Sequence, residues 1–172
     1  LAPGERISDF ALVNNREDHG VRVVGFVQNF GGRSVVGGQI SFRFKRDRML
    51  AIGSEALPDV TVAVPASRLS RRSVHSRAAI ELRRDLALAN APVTEPGDEV
   101  VLPLIADDAV LGYRVARPLT IDGGALGRYL AYADVATGAI LAVHQLNAYA
   151  SGTVLYRSVD RHPDRPRVDR PA

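Results

Sequence analysis

The sequence has no cysteine, no tryptophan, one methionine and a single lysine, Lys45. Without cysteine there can be no disulfide staple, no thiolate zinc site and no cysteine nucleophile. No apolar run comes near the roughly 18 residues that a membrane-crossing helix requires. The histidines are His19, His75, His144 and His162, and no pair of them has the H-E-x-x-H spacing that sets two zinc ligands on one helix face. A G-x-S-x-G elbow is also missing, so nothing points to Ser-His-Asp chemistry. Gly31-Gly32 and Gly37-Gly38 lack the spacing and the lysine of a phosphate loop. Asp107-Asp108 are adjacent in a turn, where two carboxylates point apart rather than converge on a substrate. The reading is therefore no catalytic set, no metal and no cofactor.

Charge of either sign is not scarce. Lysine and arginine together number 22 against 19 acidic residues, for a net charge of +3 and a pI near 9.7. Such a pI invites a nucleic-acid reading, but the arginines are spread along the chain and interleaved with acids, without the basic patch that phosphate binding needs. Nucleic acid is not expected as a partner. With 46% hydrophobic residues in 172 positions, the chain can bury a real core as one domain or two small ones. It opens on Leu1 rather than Met, as a fragment or a processed product without its signal peptide would.

What the chain does have is β-structure. Phe10 to Val13 is a short strand candidate, and the polar run Asn14 to Gly20 reads as a turn. Val21 to Ile52 follows as an antiparallel meander rich in β-branched and aromatic residues. Within it Ile40, Phe42 and Phe44 alternate with Ser41, Arg43 and Lys45, the period of a strand with one buried face. Lys45 to Arg48 is the turn into Met49 to Ile52. Ile40, Phe42, Phe44, Leu50 and Ile52 are the expected inner face, with Phe42 buried between sheet and helix. Val60, Val62 and Val64 then alternate as one more strand, stopped at Pro65.

From Ser70 to Asn90 the pattern changes to helix. Val74, Ala78, Leu82, Leu86 and Ala89 share a face, Ser70 or Ser73 caps the start, and Pro92 ends the run. The arginines here read as a solvated outer face. After the link Ala91 to Gly97, strands are expected at Val100 to Ile105, Leu111 to Arg117, Arg128 to Ala133 and Ala139 to His144. Asp134 to Gly138 is a turn whose glycine supplies a positive φ. The hairpin at Asp47 to Ile52 and that at Asp134 to Val143 are built alike. The boundaries read as residues 7–92 and 93–149 for two halves, with a proline- and arginine-bearing tail over 150–172 as a linker.

Two stretches carry a resemblance. Val27 to Ile40 (VQNFGGRSVVGGQI) resembles the motif of the fungalysin/thermolysin propeptide domain: a glutamine-bearing strand, an aromatic, a glycine, a short P-V-x-G segment and a second strand. Ser34 stands at the usual proline. Leu111 to Val143 resembles the PepSY module, with Ala133 to Gly138 close to its V-D-A-x-T-G turn and one residue longer. This resemblance implies an α+β fold of two cystatin-like halves, each a curved antiparallel sheet packed on a helix. It also implies the pro-region of a secreted zinc metalloprotease, an intramolecular chaperone and inhibitor located outside the cell or in its envelope. The partner would be the downstream or cognate catalytic domain, the isolated fragment a monomer, and the tail a link to that domain. Gln28 would lie on the central strand in an amide network. Phe42, Leu130, Ile140, Asp134 and Gly138 are the other structural or contact candidates. The alternative is a partner-binding module at the front of a large secreted or envelope protein, joined to its partner by strand addition at an open sheet edge.

Overall fold

The computed structural model describes residues 9–62, 65, 67–107 and 109–147, and the backbone of residues 155–158 and 168–171. The first four strands are β1 (Phe10–Asp18), β2 (Val21–Phe30), β3 (Arg33–Lys45) and β4 (Arg48–Ser54). The helix α1 (Arg71–Asp85) comes next, then β5 (Val93–Thr94), β6 (Val100–Ala106) and β7 (Ala109–Asp122). β8 (Arg128–Asp134) and β9 (Ile140–Gln145) complete one nine-stranded sheet in the order β1-β2-β3-β6-β7-β8-β9, with β4 paired to β3 and β5 to β7. β10 (Leu155–Ser158) and β11 (Val168–Pro171) form a separate two-stranded antiparallel sheet within the tail that was read as a linker. The rest of that tail lies outside the described residues.

The turns explain why the meander folds where it does. His19 and Gly20 both take positive φ, 48° and 73°, as do Arg46 and Asp47 at 49° and 60°. Two-residue loops of this hand match the twist of the strands they join. The first of them sits later than the polar run suggested. Asn14 to Asp18 stay in β1, paired through Asp18↔Val21, because β1 is an edge strand that buries neither face. Polarity there marks exposure, not a turn.

β3 does two jobs along its length. Residues 40–45 pair with β4, while Val35 meets Val101 of β6 in a parallel bridge. That bridge makes the sheet mixed and joins its two halves. The segment 55–62, part of which was expected as a strand at Val60 to Val64, instead crosses the join without pairing, bending at Pro58 and Asp59, where Asp59 takes φ 43°. Its Leu57, Val60 and Val62 pack on the buried Val35, Val101 and Tyr113. Val64 lies outside the described residues.

The expectation of two cystatin-like halves, each wrapped on its own helix, is overturned. Among the described residues α1 is the one α-helix, and its apolar stripe goes to the second half. Val74, Ala78 and Leu82 form the main core with Leu119 and Ile121 of β7 and Ala131 and Ala133 of β8. Ser70 caps the start, its Oγ accepting from the Ser73 N–H at 3.1 Å. The helix stops at Asp85, short of Asn90, because Ala87 turns to φ 54° and the Leu88 N–H bonds back to the Arg83 carbonyl at 2.9 Å. One helix is too small to cover nine strands. It packs on β7 to β9, and no helix among the described residues covers the meander.

The expected inner face of the meander divides accordingly. Ile40 is buried, Phe42 and Phe44 are half-buried, and Leu50 and Ile52 are exposed. Truncation should follow that division. Leu82→Ala is expected to cost about 2–5 kcal/mol in urea unfolding. Phe42→Ala should cost about half of that or less, since the area it removes from a covered site is smaller. Equal losses would mean that Phe42 is covered after all.

Candidate functional site

The uncovered face is defined by strand register. Val24 stands opposite Phe42, Phe26 opposite Ile40 and Arg22 opposite Phe44, while Ile52 and Met49 of β4 stand opposite Phe42 and Phe44. Paired residues project from the same side of a sheet, so these side chains form one apolar field. Phe26 meets Phe42 edge-on with ring centroids 6.0 Å apart and planes at 89°. Phe42 and Phe44 are stacked at 6.5 Å. Their rings, with Val24, floor a groove of about 430 Å³ that carries Arg22 and Asp47 in its lining. Arg22 is held by its Nε donating to the Asn15 Oδ1 at 2.8 Å. Leu12, opposite Phe26 on β1, extends the field and is 55% exposed; Met49 and Ile52 are as open. Large contiguous exposed apolar patches are uncommon on protein surfaces, whereas single exposed apolar residues are ordinary.

A second feature lies at the join of the two halves. Arg117 on β7 donates through its two terminal nitrogens to Glu95 at 3.3 Å and to Glu99 at 2.9 Å. Glu99 also accepts from Arg33 at 3.3 Å and Arg68 at 2.5 Å, and Glu95 accepts from Arg71 at 2.6 Å. Six side chains thus tie β3, the helix start, the link before β6 and β7 into one cluster. Arg117 is only 11% exposed, and its Nε has no partner among the described residues. Burial pushes the Glu99 carboxyl up, but the hydrogen bond and charge of Arg68, helped by Arg33 and Arg117, outweigh it and hold the group below its ordinary value.

Gln28 forms a different joint. Its Nε2 donates to the Leu57 carbonyl at 2.9 Å and its Oε1 accepts from the Leu57 N–H at 3.0 Å. The buried amide therefore brackets one residue of the crossing segment, as a strand partner would. Gly38 makes room for it, since a Cβ there would lie 2.6 Å from the Gln28 Oε1.

The other expected residues sit in the second half. Asp134 is buried, and its Oδ1 accepts from the N–H groups of Ala136 and Thr137 at 2.7 and 3.0 Å. Gly138 closes the same turn with φ 78°, where a Cβ would press on the Arg77 side chain at 3.1 Å. Ile140 packs against the helix core, and its N–H donates to Glu81 at 3.3 Å. Leu130 is half-buried on β8 opposite Thr120 and His144. Asp134, Gly138 and Ile140 are thus gathered at one turn beside α1, while Gln28 and Phe42 belong to the other half.

The histidines sit apart from one another. His19 pairs with Asp18 at 2.7 Å in an exposed turn, and His75 sits 3.3 Å from the Val93 carbonyl. No group of three or more His, Asp or Glu side chains among the described residues could hold a metal ion. No helix among them is long and apolar enough to cross a membrane. His162 lies outside the described residues.

No family model matches the chain. No curated protein matches it either. Among solved structures, the Bacillus megaterium YpeB C-terminal domain is weakly similar, with a TM-score of 0.44 at 13% identity. The match covers 83% of this chain and 59% of that one. A likeness so slight carries no inference about fold or activity.

The arginine cluster was missed in the sequence, where its members read as scattered surface charge. One signal was present: Tyr113, Val115, Leu119 and Ile121 alternate along β7 with Arg117 in the same inward phase. An arginine in that position needs carboxylates.

The cluster should make the protein acid-sensitive. Because the folded state holds Glu99 below its ordinary value of 4.5, ionised Glu99 stabilises the fold above that pH, and the contribution is lost as pH falls through and below it. In melting curves taken between pH 6 and pH 3, roughly bracketing the carboxylate range, the wild type should lose Tm more steeply than Glu99→Gln. Parallel curves would contradict this. Separately, Gln28→Leu strands both backbone groups of Leu57 and is expected to cost about 1–3 kcal/mol or more in urea unfolding.

Proposed function

We propose that the chain is a non-catalytic protein-binding module, and that its partner docks on the uncovered face of the β1–β4 meander. The observation that carries this reading is the apolar field of Leu12, Phe26, Phe42, Phe44, Met49 and Ile52, which no helix or loop among the described residues covers. An aromatic floor with one cation and one anion in the groove lining suits a protein surface of matching pattern.

The partner we assign is the catalytic domain of a secreted zinc metalloprotease, which the chain inhibits and helps to fold. The two motif resemblances, at Val27 to Ile40 and Ala133 to Gly138, support that assignment. A module that binds the native protease and not its unfolded chain shifts the folding equilibrium toward the native state. Inhibition and chaperoning then have one cause. A second reading keeps the module and changes the mode: β1 has no neighbour on its outer edge among the described residues and is exposed along nearly its whole length. Such an edge can accept a partner strand.

An activity titration tests the assignment. The catalytic domain encoded with this chain, expressed separately, should be inhibited on addition of the chain and refold in better yield with it. Phe44→Asp, a change at a half-buried position, should weaken inhibition by about tenfold or more while leaving circular dichroism native. Inhibition unaffected by Phe44→Asp would move the contact to the β1 edge. No H-E-x-x-H domain encoded with the chain, or no inhibition at high micromolar concentration, would overturn the protease assignment.

A further inference from the structure

The cluster at the join is not charge-balanced. Among the described residues, Arg33, Arg68, Arg71 and Arg117 pair with Glu95 and Glu99 alone. Both carboxylates are largely buried, at 11% and 18% exposure, and each is already shared between Arg117 and an outer arginine. Two positive charges are left over at a partly desolvated seam, where like charges repel more strongly than in water. The excess sits on the solvent side. Arg68 is 38% exposed and Arg71 is 67% exposed, and Arg71 gives its carboxylate its Nε, with no partner for its terminal amino groups among the described residues. Arg33 and Arg68 converge on a single oxygen of Glu99. The first turn of α1, which begins at Arg71, contains no acidic residue that could supply the missing charge from within.

We propose that this seam is an oxyanion site, in which Arg33, Arg68 and Arg71 hold a doubly charged tetrahedral anion such as phosphate or sulfate. Guanidinium groups present paired donors that fit phosphoryl oxygens. Two negative charges neutralise the excess. The anion lies over Glu95 and Glu99 and bridges β3 to the start of α1, so it clamps the two halves of the sheet from outside. The site is independent of the meander face and of whatever binds there.

The test is a thermal melt of the full chain in inorganic phosphate against sodium chloride at matched ionic strength. Phosphate should raise Tm along a saturable curve, and ³¹P line broadening should report the same binding. Arg68→Gln combined with Arg71→Gln leaves two arginines against two glutamates, a balanced cluster, so this variant should still fold in chloride, with a lower Tm. It should bind phosphate at least about tenfold more weakly, because charge-assisted hydrogen bonds are lost. Should the double variant lose the fold, Arg71→Gln alone, at the most exposed position, is read the same way. A peptide carrying phosphoserine identifies the source: tighter binding than inorganic phosphate points to a phosphorylated partner, equal binding to the free anion. No rise in Tm beyond chloride, or an equal rise in wild type and variants, overturns the proposal.

Discussion

The structure depends on one buried guanidinium. Arg117 projects from β7 between Tyr113 and Leu119, in the row of side chains that builds the core, and a lone charge there would be untenable. Glu95 and Glu99 answer it from the link before β6, and the outer arginines then hold those carboxylates in place. Because the answering residues come from different elements, satisfying Arg117 positions all of them. The start of the helix, the N-terminal end of β3 and the strand that receives them become one joint. Among the described residues the parallel bridge at Val35↔Val101, the crossing segment with the Tyr113 hydroxyl on its Pro58 carbonyl, and the Gln28 clamp connect the halves as well.

From that joint follows the asymmetry of the molecule. The helix is led away from the meander that precedes it and onto the sheet that comes after it. Leu119, Ile121, Ala131 and Ala133 become fully buried under it, while Phe42 and Phe44 keep an open side. The one α-helix among the described residues seals one region of the nine-stranded sheet. On the meander one face carries Arg43 and Lys45 and the other carries Phe26, Phe42 and Phe44.

Local features were readable in the residues, and non-local ones were not. The turn at Lys45 to Arg48 and the turn at Asp134 to Gly138 announce themselves through polar residues flanked by alternating apolar strands. The helix was likewise visible in Val74, Ala78 and Leu82. Its destination was not, because an apolar stripe states that it must be covered and not by what. The expectation of two helix-packed halves came from the motif resemblance, and this helix, placed within residues 7–92, packs on the later half instead. Val60 and Val62 show the same limit: alternation fits both a strand and an unpaired crossing segment, and the pairing partner separates them. Asn14 to Asp18 were misread in the opposite sense, since an edge strand exposed on both faces has the composition of a loop. Arg117 was hidden by composition, one of many arginines until its phase along β7 is considered.

The central claim is that α1 protects the second half of the sheet and leaves the meander uncovered. Residue-resolved amide hydrogen exchange on the isolated chain measures that directly, since protection follows the free energy of local opening. The amides of β7 and β8 beneath the helix should exchange only through global unfolding. Those of β3 and β4 around Phe42 and Ile52 should open earlier by a local route, and Arg117→Met should widen the gap between the two halves. Uniform protection across β3, β4, β7 and β8 would mean that the meander is as well covered as the rest, and would contradict the account.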